Sequence, residues 1–270
     1  LAMKAGLTVL IADSDEEARL DLVEAIAASN LNVQIVEACN GRELAAALEK
    51  EAVDLVFVDV TLPGTDVTSL AAWRERRGRG AMIVLLSDVL APRWPAVARL
   101  VGAYDVLLKP LNERHVARVL AASNVIRREL RLLVVEPRAA VRTLIRRLLR
   151  DSHFTFEIVD AERGSVALRA ARLGSFDVAL IEADLPDMPA LEVACQVSDR
   201  HRQAKILLMG LSAAAVPARQ LDTFGACGYL RKPFTFADID RTIHDAFGLW
   251  HPYLVKALQA EAAGTQALGA

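Results

Sequence analysis

No apolar run in this sequence approaches the roughly 18 residues that a membrane-spanning helix needs. The opening residues, Leu1 to Gly6, are too short for a secretory signal. Neither sign of charge dominates: 32 Lys and Arg stand against 34 Asp and Glu, a formal net charge of -2. That balance argues against bulk attraction to nucleic acid or anionic lipid. Cysteine is scarce. Cys39, Cys195 and Cys227 are scattered without metal-ligand spacing, so buried, reduced thiols are expected instead of a zinc site or a disulfide framework. Aromatic residues make up only 5%, and no helix-turn-helix pattern or aromatic-interleaved basic stretch offers a nucleic-acid surface. What remains is a soluble, cytoplasmic chain whose 53% hydrophobic content suffices for a core.

What is present begins with Leu55-Val56-Phe57-Val58, a run that reads as a strand buried on both faces. It stops at Asp59, and Pro63-Gly64 then turns the chain. A carboxylate at the carboxyl end of a parallel strand stands where ligands bind. A constant offset of 123 residues also carries one half of the sequence onto the other. Asp54 falls on Asp177, Leu62-Pro63 on Leu185-Pro186, Gly102-Ala103 on Gly225-Ala226, and Lys109-Pro110 on Lys232-Pro233. Ile35-Val36, Ala38 and Gly41 meet Ile158-Val159, Ala161 and Gly164 without a gap. The chain is therefore two copies of one domain of roughly 120 residues, each large enough for its own core.

In the first copy, strands are expected over 7–12, 33–36, 54–59, 82–86 and 105–108. A helix capped by Ser14 or Asp15 follows the first, with Leu20, Val23, Ile26 and Ala27 on its buried stripe. Further helices are expected over 41–50 and 67–76, from about Ala96 once Pro92 and Pro95 are passed, and from Asn112 toward Arg128. Five strand–helix units imply a doubly wound α/β domain with a parallel five-stranded sheet. Asp13, Asp59, Ser87 and Lys109 each end a strand, so their side chains converge at one sheet edge. The second copy has its first strand over 132–135.

This set resembles the receiver domain of two-component response regulators: acidic residues after the first strand, Asp-x-x-x-Pro after the third, Ser or Thr after the fourth, Lys-Pro after the fifth. The resemblance spans residues of about 5 to 248. It implies two tandem flavodoxin-like (βα)5 receiver domains, over 5–128 and 130–248, with a short helical tail over 249–270. It implies phosphoryl acceptance by Asp59, phosphoryl contacts from Ser87 and Lys109, and Mg2+ held by Asp13, Asp59 and the Thr61 carbonyl. Chemically, a carboxylate nucleophile forms an acyl phosphate, and the transfer needs a hard cation and donors on the equatorial oxygens. The implied partners are a histidine kinase or histidine phosphotransfer protein, a downstream protein effector and a second copy in a homodimer. Neither nucleic acid nor membrane is among them.

The first copy departs from the family at Ser14, where a second acidic residue is usual, leaving Asp15 as the neighbour that would support the metal. The usual aromatic three residues before the lysine is Val106, with Tyr104 two residues earlier. In the second copy the acidic pair becomes Glu136-Pro137, the acceptor position holds Glu182 and the hydroxyl position Gly210, while Lys232-Pro233 and Tyr229 survive. One extra methylene moves the Glu182 carboxylate off an in-line geometry. A degenerate pseudo-receiver acting as an adaptor is expected, with Glu182 paired to Lys232 and Asp184 a lesser rival acceptor. Arg74, Arg76, Arg77 and Arg79 are expected in the turn after the third helix. Arg138, Arg142, Arg146, Arg147 and Arg150 form a helical stripe that reads as a solvated face or a contact between the copies.

Two classes of function follow. One is a non-enzymatic response regulator switched by phosphorylation of Asp59. The other is a phosphorylation-independent scaffold, or the receiver portion of a longer regulator such as a diguanylate cyclase, although no Gly-Gly-Asp/Glu-Glu-Phe loop occurs in these residues. A nucleotide-binding use of the fold is disfavoured, because Asp13-Ser14 and Glu136-Pro137 stand where a Gly-rich phosphate loop would be.

Overall fold

The computed structural model describes residues 6–77, 81–89, 91, 93–212, 218–249 and 252. It divides into two compact units, the first ending at Arg128 and the second running from Glu129 to Leu249. The first unit holds β1 (Leu7–Ala12), α1 (Glu16–Ala27), β2 (Val33–Ala38), α2 (Gly41–Lys50), β3 (Leu55–Asp59) and α3 (Val67–Arg77). It continues with β4 (Met82–Ser87), α4 (Trp94–Val101), β5 (Asp105–Leu108) and α5 (Glu113–Ile126). The second unit holds β6 (Glu129–Val135), α6 (Ala139–Leu149), β7 (Thr155–Ala161), α7 (Gly164–Leu173) and β8 (Val178–Glu182). It ends with α8 (Ala190–Arg200), β9 (Lys205–Gly210), α9 (Ala218–Thr223), β10 (Ala226–Arg231) and α10 (Phe236–Phe247). Apart from Leu249 and Pro252, the expected tail lies outside the described residues.

Each unit has one parallel five-stranded sheet, in the order β2-β1-β3-β4-β5 and β7-β6-β8-β9-β10. Strand order reverses between β1 and β3, and between β6 and β8, which opens a crevice at their carboxyl ends. The central strands are buried along their whole length in β3, β4 and β8, as crossover helices on both faces require. Each fully buried Val, Leu or Phe contributes about 1.5–3 kcal/mol. Helix starts are fixed locally: Asp15, Asn40 and Asn112 accept backbone N–H groups, and Thr235 with Asp238 forms a capping box.

Several expectations are corrected. The buried stripe of α1 is Leu22, Ala25 and Ile26, while Leu20 is 53% exposed and Ala27 also faces solvent. The helix packs on α5 with the face offset from the expected one. Helix α4 begins at Trp94, before Ala96, since Pro95 occupies the first turn, where a missing N–H costs nothing. Arg74, Arg76 and Arg77 belong to α3 and not to the turn after it; Arg79 lies outside the described residues. Strand β6 starts at Glu129 because its pairing with β7 begins there, opposite Thr155. The cysteines are not buried: Cys39 follows the end of β2 and is exposed, Cys227 is exposed on the edge strand β10, and Cys195 is half-buried on α8. None of the described helices is long and apolar enough to cross a membrane.

The start of α2 passes so close to the β3–α3 turn that a Cβ on Gly41 would lie 2.0 Å from the Gly64 carbonyl oxygen. At Gly164 the corresponding Cβ would meet the Met188 side chain at 2.5 Å and the Val193 side chain at 2.8 Å. Side chains can shift by a few tenths of an ångström more readily than a backbone carbonyl can. Gly41→Ala should therefore destabilise the first unit by about 2–3 kcal/mol, and Gly164→Ala the second by about 1 kcal/mol. Native-state hydrogen exchange of the β1 and β6 amides reads the two separately, and equal costs would contradict the backbone clash.

Candidate functional site

Parallel register places the strand-end side chains of the first unit together. Ala12 pairs with Val58, so Asp13 and Asp59 are next in line, and the Asp13 N–H donates to the Ala38 carbonyl at 3.1 Å. The Lys109 N–H donates to the Ser87 carbonyl at 2.9 Å, bringing the end of β5 alongside β4. Lys109 then reaches across the edge. Its Nζ donates to Asp13 Oδ2 at 2.5 Å and also to Asp59 Oδ2. Both aspartates are only 2% exposed.

Every remaining carboxylate oxygen has a donor. Asp59 Oδ1 accepts the Thr61 N–H at 2.6 Å and the Thr61 hydroxyl at 2.5 Å, and Asp13 Oδ1 accepts the Asp15 N–H at 3.0 Å. Burial pushes the Asp59 carboxyl upward, but the hydrogen bonds from Lys109 and Thr61 outweigh it and hold the group below its usual value. Burial likewise disfavours the Lys109 ammonium, and the two carboxylates more than restore it. Two carboxylates facing one ammonium leave one negative charge uncompensated. With the Thr61 carbonyl nearby in sequence, that donor set suits a hard divalent cation. Ser14 is exposed, and the Asp15 carboxylate caps α1 by accepting the Glu17 N–H at 3.0 Å.

Ser87 is buried beside this cluster but points elsewhere. Its hydroxyl donates to the Val89 carbonyl at 2.8 Å, and the Trp94 indole donates to the same oxygen at 2.7 Å. Tyr104 and Val106 are both buried, 2% and 6% exposed, so neither presents a surface aromatic.

The second unit assembles the counterpart residues with different chemistry. Lys232 Nζ donates to Glu136 Oε2 at 2.5 Å and to Glu182 Oε2. Arg138 adds a second cation: its Nε donates to Glu136 Oε1 at 2.9 Å, and its Nη2 lies 3.6 Å from Glu182 Oε2. Burial pushes Glu136 upward, yet Arg138 and Lys232 hold it at about 2. Burial and the neighbouring Glu136 raise Glu182 against the pull of Lys232. The phenol of Tyr229 donates to the Ser212 carbonyl at 2.9 Å, where a Cβ on Gly210 would be only 2.4 Å from it. Within the arginine stripe, Arg142 donates to the Glu136 and Pro137 carbonyls at 2.6 and 2.9 Å, and Arg146 lies 2.9 Å from Asp160. Arg147 and Arg150 are exposed. Sequence reading placed Arg138 on that stripe and missed its contact with the two glutamates; the offset that maps it onto Asp15 was the available signal. Also missed was the fully buried Asp240, which binds Ser152 and His153 and ties α10 to the connection before β7.

Two parallel α/β units, each with strand-end carboxylates gathered on a lysine, define the class: doubly wound domains of receiver type, present twice. The response regulator receiver domain model matches residues 9–121 and 132–244, so the chain belongs to that family and is a response regulator of two-component signalling. Over a stretch the length of one copy it is similar to the chemotaxis protein CheY of Pseudomonas aeruginosa, 27% identical over 120 residues, 44% of this chain and 96% of the relative. CheY of Listeria monocytogenes is 29% identical over 108 residues, 39% and 87% of the two chains. Over both copies the fold resembles a solved two-component system response regulator/GGDEF domain protein, with a TM-score of 0.64, 18% identity, and 90% of this chain and 99% of that one covered. A second structure of that description gives 0.60 at 19% identity, covering 88% and 97%.

The folded Asp59 carboxyl is depressed, so its contribution is complete above the unfolded value, about 4, and is lost as pH falls through the folded value. Lys109→Met should cost about 3 kcal/mol in urea unfolding at pH 7, with the gap to wild type narrowing as pH falls toward the depressed Asp59 value. A gap independent of pH would show that the ammonium does not hold the carboxylates. In the second unit, Gly210→Ala should push the Tyr229 phenol away from Ser212 at a cost of about 1 kcal/mol. An unshifted Tyr229 ring resonance in NMR spectra would refute it.

Proposed function

We propose that the first unit accepts a phosphoryl group on Asp59 and that the second is a non-phosphorylated adaptor. The observation that carries this reading is the contrast between the Asp13–Lys109–Asp59 cluster, with its uncompensated charge, and its counterpart closed by Arg138. An Asp59 carboxylate oxygen attacks the phosphorus of a phosphohistidine on a kinase or phosphotransfer protein. The new O–P bond forms as the donor's N–P bond breaks, and the imidazole leaves. The depressed Asp59 carboxyl keeps the nucleophile ionised at neutral pH. Lys109, already on that carboxylate, stays as a donor to the transferred group's oxygens.

Mg2+ would be held by Asp13, Asp59 and the Thr61 carbonyl, and when bound it neutralises charge on the transferring phosphoryl. To reach that phosphoryl, the Ser87 hydroxyl must leave the Val89 carbonyl, which then keeps only the Trp94 indole of the two donors described. That rearrangement passes the charge change from Asp59 to the connection leading into α4, altering the surface an effector reads.

Acetyl phosphate treatment followed by peptide mass spectrometry tests both halves. Modification is expected on the Asp59 peptide in wild type and in Glu182→Gln, and is expected to vanish in Asp59→Asn. Modification in the second unit would remove the adaptor assignment, and an unmodified wild type in Mg2+ would leave the phosphorylation-independent scaffold as the function.

A further inference from the structure

The second unit keeps two acidic residues at the ends of β6 and β8, and on donor count alone they would suit a divalent cation as well as Asp13 and Asp59 do. The balance of charge around them differs. In the first unit, two carboxylates share one ammonium. In the second, Glu136 and Glu182 share the Lys232 ammonium and the Arg138 guanidinium, so two negative charges meet two positive ones.

Arg138 is well fixed for this. Its backbone N–H donates to Glu136 Oε1 at 3.0 Å while its Nε donates to the same oxygen at 2.9 Å, and Nη2 reaches Oε2 at 3.4 Å. The fork thus grips both oxygens of a carboxylate that is itself fully buried. A guanidinium is always charged, and its fork matches a carboxylate. Its position, 123 residues beyond Asp15, puts a cation where the first unit carries a carboxylate.

We propose that Arg138 is a tethered cation that occupies the metal position of the second unit, so that this site excludes divalent ions and Glu136 and Glu182 form a latent metal site beneath it. The proposal deepens the adaptor assignment and rests on it: a unit that carries its own cation needs neither metal nor phosphoryl group to keep its strand-end carboxylates satisfied. The Arg138 side chain is 59% exposed, so replacing it removes the charge with little packing loss.

The test is Mn2+ titration of the full chain with paramagnetic broadening of backbone amides, reversed by excess Mg2+. In wild type, the amides of Ala183 and Asp184 should stay sharp. In Arg138→Gln they should broaden at a Mn2+ concentration at least about tenfold lower, the equivalent of one lost charge-assisted hydrogen bond. Arg138→Lys, which retains the charge, should remain sharp. Broadening there in wild type, or none in Arg138→Gln, would each overturn the proposal. Phosphorylation of the second unit by acetyl phosphate would instead sink the adaptor assignment, a readout separate from the Mn2+ result.

Discussion

One ammonium shared by two buried carboxylates organises the first unit. Lys109 lies 96 residues from Asp13 and 50 from Asp59 in sequence, and meets both at one sheet edge. Removing two aspartates from water is costly unless a cation meets them. The strand order β2-β1-β3-β4-β5 is what makes the contact affordable, because it sets β1 beside β3 with β5 within reach of both. Packing and chemistry are thereby coupled. The same apolar strands that build the core fix the point at which the Asp59 carboxylate emerges beside Lys109.

The second unit keeps this scaffold and alters its charge balance. Glu182 is longer than an aspartate by one methylene, and its carboxylate meets both Lys232 and Arg138. The paired glutamates respond as interacting acids do, one driven down and the other up. Matching backbone hydrogen bonds at Glu136 and Lys232 therefore support an ion cluster with two cations where the first unit holds one. The fold tolerates this change of charge balance, since the core beneath the cluster is apolar.

Strand ends and the repeat were legible in the sequence because each rests on a local signal: an apolar run that stops at a polar residue, and markers that recur at a fixed offset. The phase of α1 was not, since Leu20 and Leu22 are equally apolar and only packing against the sheet and α5 selects Leu22. The start of α4 was misplaced by treating Pro95 as a barrier, when the first helical turn accepts proline. Cysteine exposure was likewise unreadable, because it depends on Cys227 falling on an edge strand. Arg138 is the instructive case. Helical spacing assigned it to a stripe, but the residue sits at the N-cap of α6, where the backbone is extended and the side chain turns back toward the sheet edge. Spacing along a helix has no authority over the residue that precedes it.

The hydroxyls of the two units differ as their charge clusters do. At the end of β4 the first unit has Ser87, and at the matching strand end the second has Gly210; three residues before the lysine they have Val106 and Tyr229. Each unit thus offers one hydroxyl from this pair of positions, and Gly210 shows why both cannot be present in this arrangement: a side chain there would collide with the phenol. The serine hydroxyl rests on the Val89 carbonyl by a bond that rotation about one torsion can break. The tyrosine hydroxyl is carried on a rigid ring and bonds the Ser212 carbonyl. A hydroxyl on a short side chain can be redirected toward an arriving group, and one at the end of a ring filling its neighbour's space cannot move without the ring. The first unit is built around a bond that is easily exchanged, and the second around one that is not, which is the asymmetry their charge clusters also express.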